Sequence, residues 1–224
     1  MRRNKVKDLV ILGGSSFAEL LHSYLKEEGK RNVVAFTVEK KYLNDTPAGG
    51  LPVVAFETVE KLYPPNKYEI IMGIGYSRMN SLRERLFYEA KKKGYYIASF
   101  IHSTATIAKD AVIGEGNIIF EKSLIQSFCE IGSGNLIWYD VKIAHNDKIG
   151  NFNTFAGNSS LSGFVNIANR CFLGNSCTVV NNVNIADETL IGSGAVVKAD
   201  TMPKSVIVPA RSVILPQKKS MEFI

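Results

Sequence analysis

Few residues in this chain of 224 are equipped for chemistry. Of its three histidines, His145 stands in Ile143-Ala144-His145-Asn146-Asp147-Lys148-Ile149-Gly150, followed at once by an amide and a carboxylate. An imidazole whose second nitrogen is held by such a neighbour can take and return a proton near neutral pH. Taken alone, the same histidine reads equally well as a structural residue in a turn. His22 falls on a predicted helix and His102 at the start of a repeat; both are read as packing or surface residues. Gly13-Gly14-Ser15-Ser16 follows an apolar strand and opens a helix, where a tight turn and a phosphate site explain the glycines about equally. Gly75-Tyr76-Ser77-Arg78 ends another strand, and Arg78 suits either a phosphate or solvent. Three cysteines, an odd number, argue against a disulfide framework.

The 27 Lys and Arg against 21 Asp and Glu leave a net charge of +6. The surplus is unevenly spread: residues 1–100 carry +6, residues 101–202 carry −3 and residues 203–224 carry +3. The one dense cluster, Lys91-Lys92-Lys93 before Gly94, suits the last turn of a helix, so no nucleic-acid footprint is expected. Hydrophobic residues make up 46% of the chain, yet no apolar run approaches the roughly 20 residues of a membrane span. The apolar block Leu9–Leu12 behind the basic Arg2, Arg3, Lys5 and Lys7 is short for a signal peptide. A soluble, cytoplasmic protein with no membrane partner is expected.

The second half must position His145, and it carries a repeat. Counting six at a time from Ile101 gives Ile107, Ile113, Ile119, Ile125, Ile131, Ile137, Ile143, Ile149, Phe155, Leu161, Ile167, Leu173, Val179, Ile185, Ile191 and Val197. Chance would produce such a run on the order of once in a billion starts. The position four beyond each anchor is usually small, as in Ala105, Ser123, Asn153 and Ala195, and no proline falls between residues 101 and 202. A period of six excludes a helix stripe, which recurs at about 3.6, and fits short strands and turns stacked as a β-helix. Cys129, Cys171 and Cys177 all take the small inward slot, so buried, inert thiols are expected. His145 lies two residues past an anchor, at a corner. Trp138 and Tyr139 follow an inward anchor and are expected to face outward, toward another copy of the chain.

Motifs such as Ile113-Gly114-Glu115-Gly116-Asn117 and Ile191-Gly192-Ser193-Gly194-Ala195 resemble the hexapeptide-repeat acyltransferases across essentially all of residues 101–202. The resemblance implies a left-handed parallel β-helix, an exception to the right-handed crossover rule. It also implies three hexads to a coil, a homotrimer, and active sites between neighbouring prisms.

The first hundred residues alternate strand and helix signals. Lys7–Leu12, Asn32–Phe36, Tyr68–Ile74 and Tyr96–Phe100 read as strands; Phe17–Glu28, Phe56–Tyr63 and Met79–Lys93 read as helices. A loop with Pro47, Gly49, Gly50 and Pro52 separates the second strand from the short helix. This order predicts a small parallel α/β layer. A glycine-rich turn opening a helix, ahead of a hexapeptide β-helix, resembles the bacterial nucleotide-sugar N-acetyltransferases and the sialic acid O-acetyltransferase-like group. The expected fold is an α/β Rossmann-like domain over residues 1–100, an all-β left-handed parallel β-helix over 101–202, and a C-terminal tail over 203–224.

Several roles follow from this resemblance. The first domain would hold the nucleotide through Gly13, Gly14, Ser15, Ser16, Glu39, Gly75, Tyr76 and Arg78; where the subgroup has an acidic pair after the second strand, this chain has Val38-Glu39. The subgroup's catalytic pattern His-(Asp/Glu)-Cys-x-Ile-Gly aligns with His145, with Asn146 in place of the acid. Cys171-Phe172-Leu173-Gly174 and Ala186-Asp187 match further subgroup positions. One coil beyond His145 lies Gly163, whose N–H in the subgroup faces the thioester carbonyl. His145 is thus the implied general base, Asn146 or Asp147 its orienting group, and Gly163 the oxyanion donor. Acetyl-CoA, or another acyl-CoA, is the implied co-substrate, contacted by Gly163, Gly174, Gly192, Ala195 and Arg211, with no metal. The closing segment Val208-Pro209-Ala210-Arg211 resembles the superfamily's coenzyme-A-binding end. An asparagine stabilises an imidazolium less than a carboxylate does, which favours an amine over a hydroxyl as acceptor. The expected activity is acyl transfer to a nucleotide-linked amino sugar in surface polysaccharide biosynthesis. The alternatives are a sugar O-acetyltransferase and a noncatalytic trimeric sugar-binding scaffold. A zinc enzyme on this β-helix would need three histidine ligands, and only His102 and His145 lie in the repeat.

Overall fold

The computed structural model describes residues 7–43 and 50–212. Pro47 and Gly49 of the expected loop, Arg2, Arg3 and Lys5 of the basic start, and residues 213–224 of the expected tail lie outside the described residues.

The N-terminal part is a parallel sheet of β1 (Asp8–Leu12), β2 (Val33–Val38), β3 (Val53–Ala55), β4 (Tyr68–Met72) and β5 (Ile97–Ala98), ordered β3-β2-β1-β4-β5. Its central strand, Asp-Leu-Val-Ile-Leu, is apolar on both faces because helices cover both. Helix α1 (Ser16–Glu28) buries Ala18, Leu21 and Leu25 and stops at Gly29, whose φ of 62° lets its N–H reach the Leu25 carbonyl. A short α2 (Val59–Leu62) precedes β4, and α3 (Ser81–Lys92) buries Arg83, Leu86, Phe87 and Ala90. β3 has no counterpart among the expected strands. Its three residues are too few to show alternation, and pairing with Phe36–Val38 defines it.

The expected strand Tyr96–Phe100 divides. Ile97–Ala98 closes the sheet, while Phe100–Ile101 pairs with Ile118–Ile119 and begins a left-handed parallel β-helix. Strands of two residues then stack in three sheets, each pairing with the strand one coil on, as Ile125 does with Ile143. The last strand, Val206–Ile207, adds to Leu190–Ile191 beyond the end of the six-residue count. The anchors fill the interior together with the small slots, among them all three cysteines. Burial pushes the thiols of Cys171 and Cys177 up to about 11 and about 12, so they stay protonated and inert.

From Gly116 to Gly194, each corner turns through a residue with φ near +60°. Asparagine and glycine supply some of these positions, but Lys122, Phe128, Phe152, Phe164 and Glu188 adopt the same conformation. One corner is braced by stacked Asn117, Asn135 and Asn153. Each accepts on Oδ1 the N–H of the residue one coil on, and donates Nδ2 to the carbonyl of Gly132, Gly150 or Ala168. These bonds satisfy amides that the turns would leave unpaired inside the prism.

The outward face of one sheet is buried under the N-terminal part, with Phe100, Ile118, Leu136 and Thr154 all enclosed. Trp138, half-buried, takes part in this contact and also lines an open cleft beside Tyr139. Its ring stacks on Phe120 at 4.9 Å and 18°, and Phe17 of α1 lies 5.6 Å away. Tyr139 is exposed, as expected, and its ring lies over Gly157.

Candidate active site at a prism corner

His145 sits at the corner between strands Lys142–Ile143 and Lys148–Ile149, with its side chain exposed. Its backbone N–H donates to Gln126 Oε1 at 3.1 Å, and Phe164 meets its ring edge-on at 5.2 Å. Asn146 turns the corner at φ 64°, a conformation asparagine tolerates well, and this brings its Oδ1 to 2.9 Å from His145 Nδ1. A carbonyl oxygen can only accept, so Nδ1 is the donor of this bond, and in a neutral imidazole Nε2 is then the nitrogen with the lone pair.

Gly163 lies directly against this ring. A β-carbon built there would stand 2.8 Å from Cε1 and 2.9 Å from Nε2. Among the described residues, no group accepts the Gly163 N–H. A basic nitrogen and an amide donor thus share one corner on successive coils.

Asp147 is turned away from the imidazole. It is fully buried, and its Oδ1 accepts the Val165 N–H at 2.8 Å while Oδ2 has no partner. Burial pushes its carboxyl up to about 7 against the pull of that hydrogen bond. The ring's neighbour is therefore Asn146, and Asp147 belongs to the interior.

The glycines expected at a cofactor stand elsewhere. Gly174 and Gly192 lie on the corner that starts strands Thr178–Val179 and Val196–Val197, at the other end of the face that ends at His145. Their N–H groups already donate to Ile191 O and Ile207 O, and their carbonyls accept from Cys177 and Ala195. A β-carbon on Gly174 would meet Ser193 N at 2.5 Å, so its glycine clears space for the next coil. Ala195 is a core residue, 1% exposed, with both backbone groups paired in the prism. These three positions have no backbone N–H left to offer a cofactor. Arg211 is exposed at the end of the described chain.

The N-terminal residues converge better. β1 and β4 are adjacent strands at which the strand order reverses, the place where open parallel sheets bind ligands at their carboxyl ends. Gly13 there has φ 141°, and a side chain on it would collide with the Gly73 carbonyl. A cavity of about 430 Å³ opens at this point, lined by Gly13, Gly14, Ser15, Glu39, Gly75 and Ser77 with Glu19, Tyr42 and the apolar Val38, Val53, Leu82 and Leu86. The N-terminus of α1 faces it, and Ser15 makes no capping bond with its side chain. Glu39 is held by Arg85 at 3.1 Å and Lys41 at 3.6 Å. Ser16 and Arg78 do not line this space. Tyr76 opens on a second cleft, with Trp138, Tyr139, Phe172, Asn175 and Ser193 beside the Gly174–Gly192 corner.

His22 packs edge-on to Phe36 at 5.5 Å, and His102 bonds Thr104 at 2.9 Å. Phe164 and Gln126, which hold His145, carry no signal in the sequence beyond their coil positions. Among the described residues no cluster of three ligating side chains could hold a metal, and no helix is long and apolar enough to cross a membrane.

No family model matches the chain. Solved structures do. A mutant of perosamine N-acetyltransferase from Caulobacter crescentus, in complex with CoA and GDP-perosamine, superposes with a TM-score of 0.81 at 23% identity, covering 91% of this chain and 94% of that one. The acetyltransferase domain of PglB from Neisseria gonorrhoeae FA1090, in complex with acetyl coenzyme A, gives 0.81 at 18% identity, covering 93% and 100%. WeeI from Acinetobacter baumannii AYE gives 0.80 at 20%, covering 91% and 97%. The chain therefore shares one fold with these proteins over nearly its whole length, the α/β sheet and the β-helix together.

Proposed function

We propose that the protein is an acyl-CoA-dependent N-acyltransferase, with acetyl-CoA as the donor and a nucleotide-linked amino sugar as acceptor. The observation that carries this reading is the His145–Gly163 pair, with Asn146 fixing the tautomer, on the fold shared with the perosamine enzyme. His145 Nε2 takes the proton as the sugar amine attacks the thioester carbonyl. The Gly163 N–H meets the oxyanion of the tetrahedral intermediate, and the proton then passes to the departing thiolate of coenzyme A. The cavity at the sheet switch point holds the nucleotide, with the diphosphate at the α1 N-terminus and Glu39 toward the ribose.

The His145 corner and the Asn175–Ser193 corner lie at opposite ends of one prism face. A closed ring of copies brings the first corner of one protomer against the second corner of its neighbour, which supports a homotrimer with shared sites. Coenzyme A would lie along that seam, against the exposed Asn175 and Ser193 and the cationic Arg211.

Thiol release from acetyl-CoA, assayed with UDP-, dTDP- and GDP-linked amino sugars, tests the reading. Release with an amino sugar and none with its hydroxyl counterpart supports N-acylation; the reverse supports O-acylation. No release with any acceptor leaves the scaffold reading. Sedimentation showing only monomer would remove the shared site.

A further inference from the structure

Between β4 and α3 the chain runs through Gly75-Tyr76-Ser77-Arg78-Met79-Asn80. Arg78, Met79 and Asn80 have φ of 54°, 48° and 65°. Three successive side-chain-bearing residues in the left-handed region persist only where their surroundings hold them. Two buried side chains do so. Asn80 donates Nδ2 to the Cys171 carbonyl at 3.0 Å and accepts the Thr154 hydroxyl at 2.7 Å. Arg83, 2% exposed, donates to the carbonyls of Gly134, Phe152 and Asn153 in the prism, and also to that of Gly75 at 2.8 Å.

No carboxylate is among the partners of Arg83. Burial pushes its guanidinium down to about 9, still charged at neutral pH. Its partners are four carbonyls and the Thr154 hydroxyl at 3.2 Å, all neutral, so no counter-charge offsets the desolvation of the guanidinium. Its geometry is distinctive: one planar group ties the first residue of the segment to two successive coils of the prism. The segment it ties is a shared wall. Gly75 and Ser77 line the cavity at the switch point, while Tyr76 between them faces the prism-side cleft and lies 5.1 Å from Phe172.

We propose that Asn80 and Arg83 are positioning residues that lock the Gly75–Asn80 segment to the prism, setting where a bound sugar nucleotide places its sugar relative to the prism. The proposal rests on the sugar-nucleotide reading of the cavity. A ligand that spans both sides of the wall meets the whole segment; the acyl donor, along the Asn175–Ser193 corner, meets it only at Tyr76.

Asn80→Gly keeps the left-handed backbone and deletes both side-chain hydrogen bonds. Expected is a rise of about fivefold or more in KM for the sugar nucleotide, with KM for acetyl-CoA within about twofold. Amide exchange at Tyr76–Met79 rises while exchange in the prism does not. Arg83→Lys recovers part of the KM lost in Arg83→Met, because an ammonium can still serve some of the carbonyls. It also carries the test if Asn80→Gly does not fold. A purely structural role would lower melting temperature without separating the two KM values. Unchanged KM values in folded variants of an active enzyme overturn this proposal alone. A wild-type protein that turns over no sugar nucleotide overturns the reading beneath it as well.

Discussion

The imidazole of His145 lies against Gly163, so closely that a methyl group on the glycine would stand 2.8 Å from Cε1 and 2.9 Å from Nε2. The two residues are one coil apart, and the stacking that brings them together is the same that pairs Lys142 with Ser160. Gly163→Ala must therefore push the exposed imidazole aside while leaving the prism interior intact. We expect kcat to fall by about 100-fold with melting temperature little changed. Steady-state kinetics beside a thermal melt check this, and full activity would show that the contact is incidental.

Asn146 fixes the tautomer in this account. Asn146→Gly keeps the positive φ and removes the carbonyl, and should lower kcat about tenfold. Asn146→Asp keeps an acceptor at the same place and should retain activity. Equal losses in both variants would place the effect in the turn rather than in the hydrogen bond.

Asp147 makes a prediction about stability instead. It repeats the first bond of the Asn117–Asn135–Asn153 ladder but, when ionised, has no donor for the second, and its Oδ2 stays unpaired. Its folded-state pKa is raised from 3.8 to about 7. The folded state thus holds the proton more tightly than the unfolded one. Stability from this group is present below about pH 4 and lost as pH rises through about 7. Asp147→Asn supplies the missing donor and removes the charge. It should be more stable than wild type at pH 8 by up to ~4 kcal/mol, the difference shrinking at low pH. Urea unfolding of both proteins across pH measures it; a constant difference would contradict the assignment.

Trp138 is the single tryptophan of the chain and sits between the two parts of the molecule, stacked on Phe120 and met by Phe17. Trp138→Ala should cost about 2–3 kcal/mol of stability. In wild type, the tryptophan emission should shift to the red in the same urea transition that abolishes the helical circular dichroism, because the buried Arg83 and Asn80 contacts join sheet and prism. Two separated transitions would contradict a single cooperative unit.

Much of this is legible in the amino-acid sequence, and the limits have physical causes. The anchors from Ile101 to Val197 are legible because every coil needs an apolar residue at the same place. The same count puts Gly163 beside His145, and it also separates Gly174 and Gly192 onto another corner. A count does not tell a glycine that admits a ligand from one that admits the next coil, as Gly174 does against Ser193. Arg83 leaves no trace, since an arginine on an amphipathic helix looks solvated until its carbonyl partners, distant in sequence, are in place. β3 is defined by its partner strand, and Trp138 by α1, neither of which a local pattern contains. The inward turn of Asp147 is legible, since it stands four beyond the anchor Ile143; the position of Asn146 against His145 follows from the corner's positive φ.

The central claim is that His145 is the base of an acyl transfer. The most direct measurement is kcat for acetyl-CoA-dependent acylation of the preferred sugar nucleotide by wild type and His145→Ala, with both KM values. The account predicts a loss of about 100- to 10,000-fold in kcat with KM changed little. Full activity in His145→Ala would contradict it.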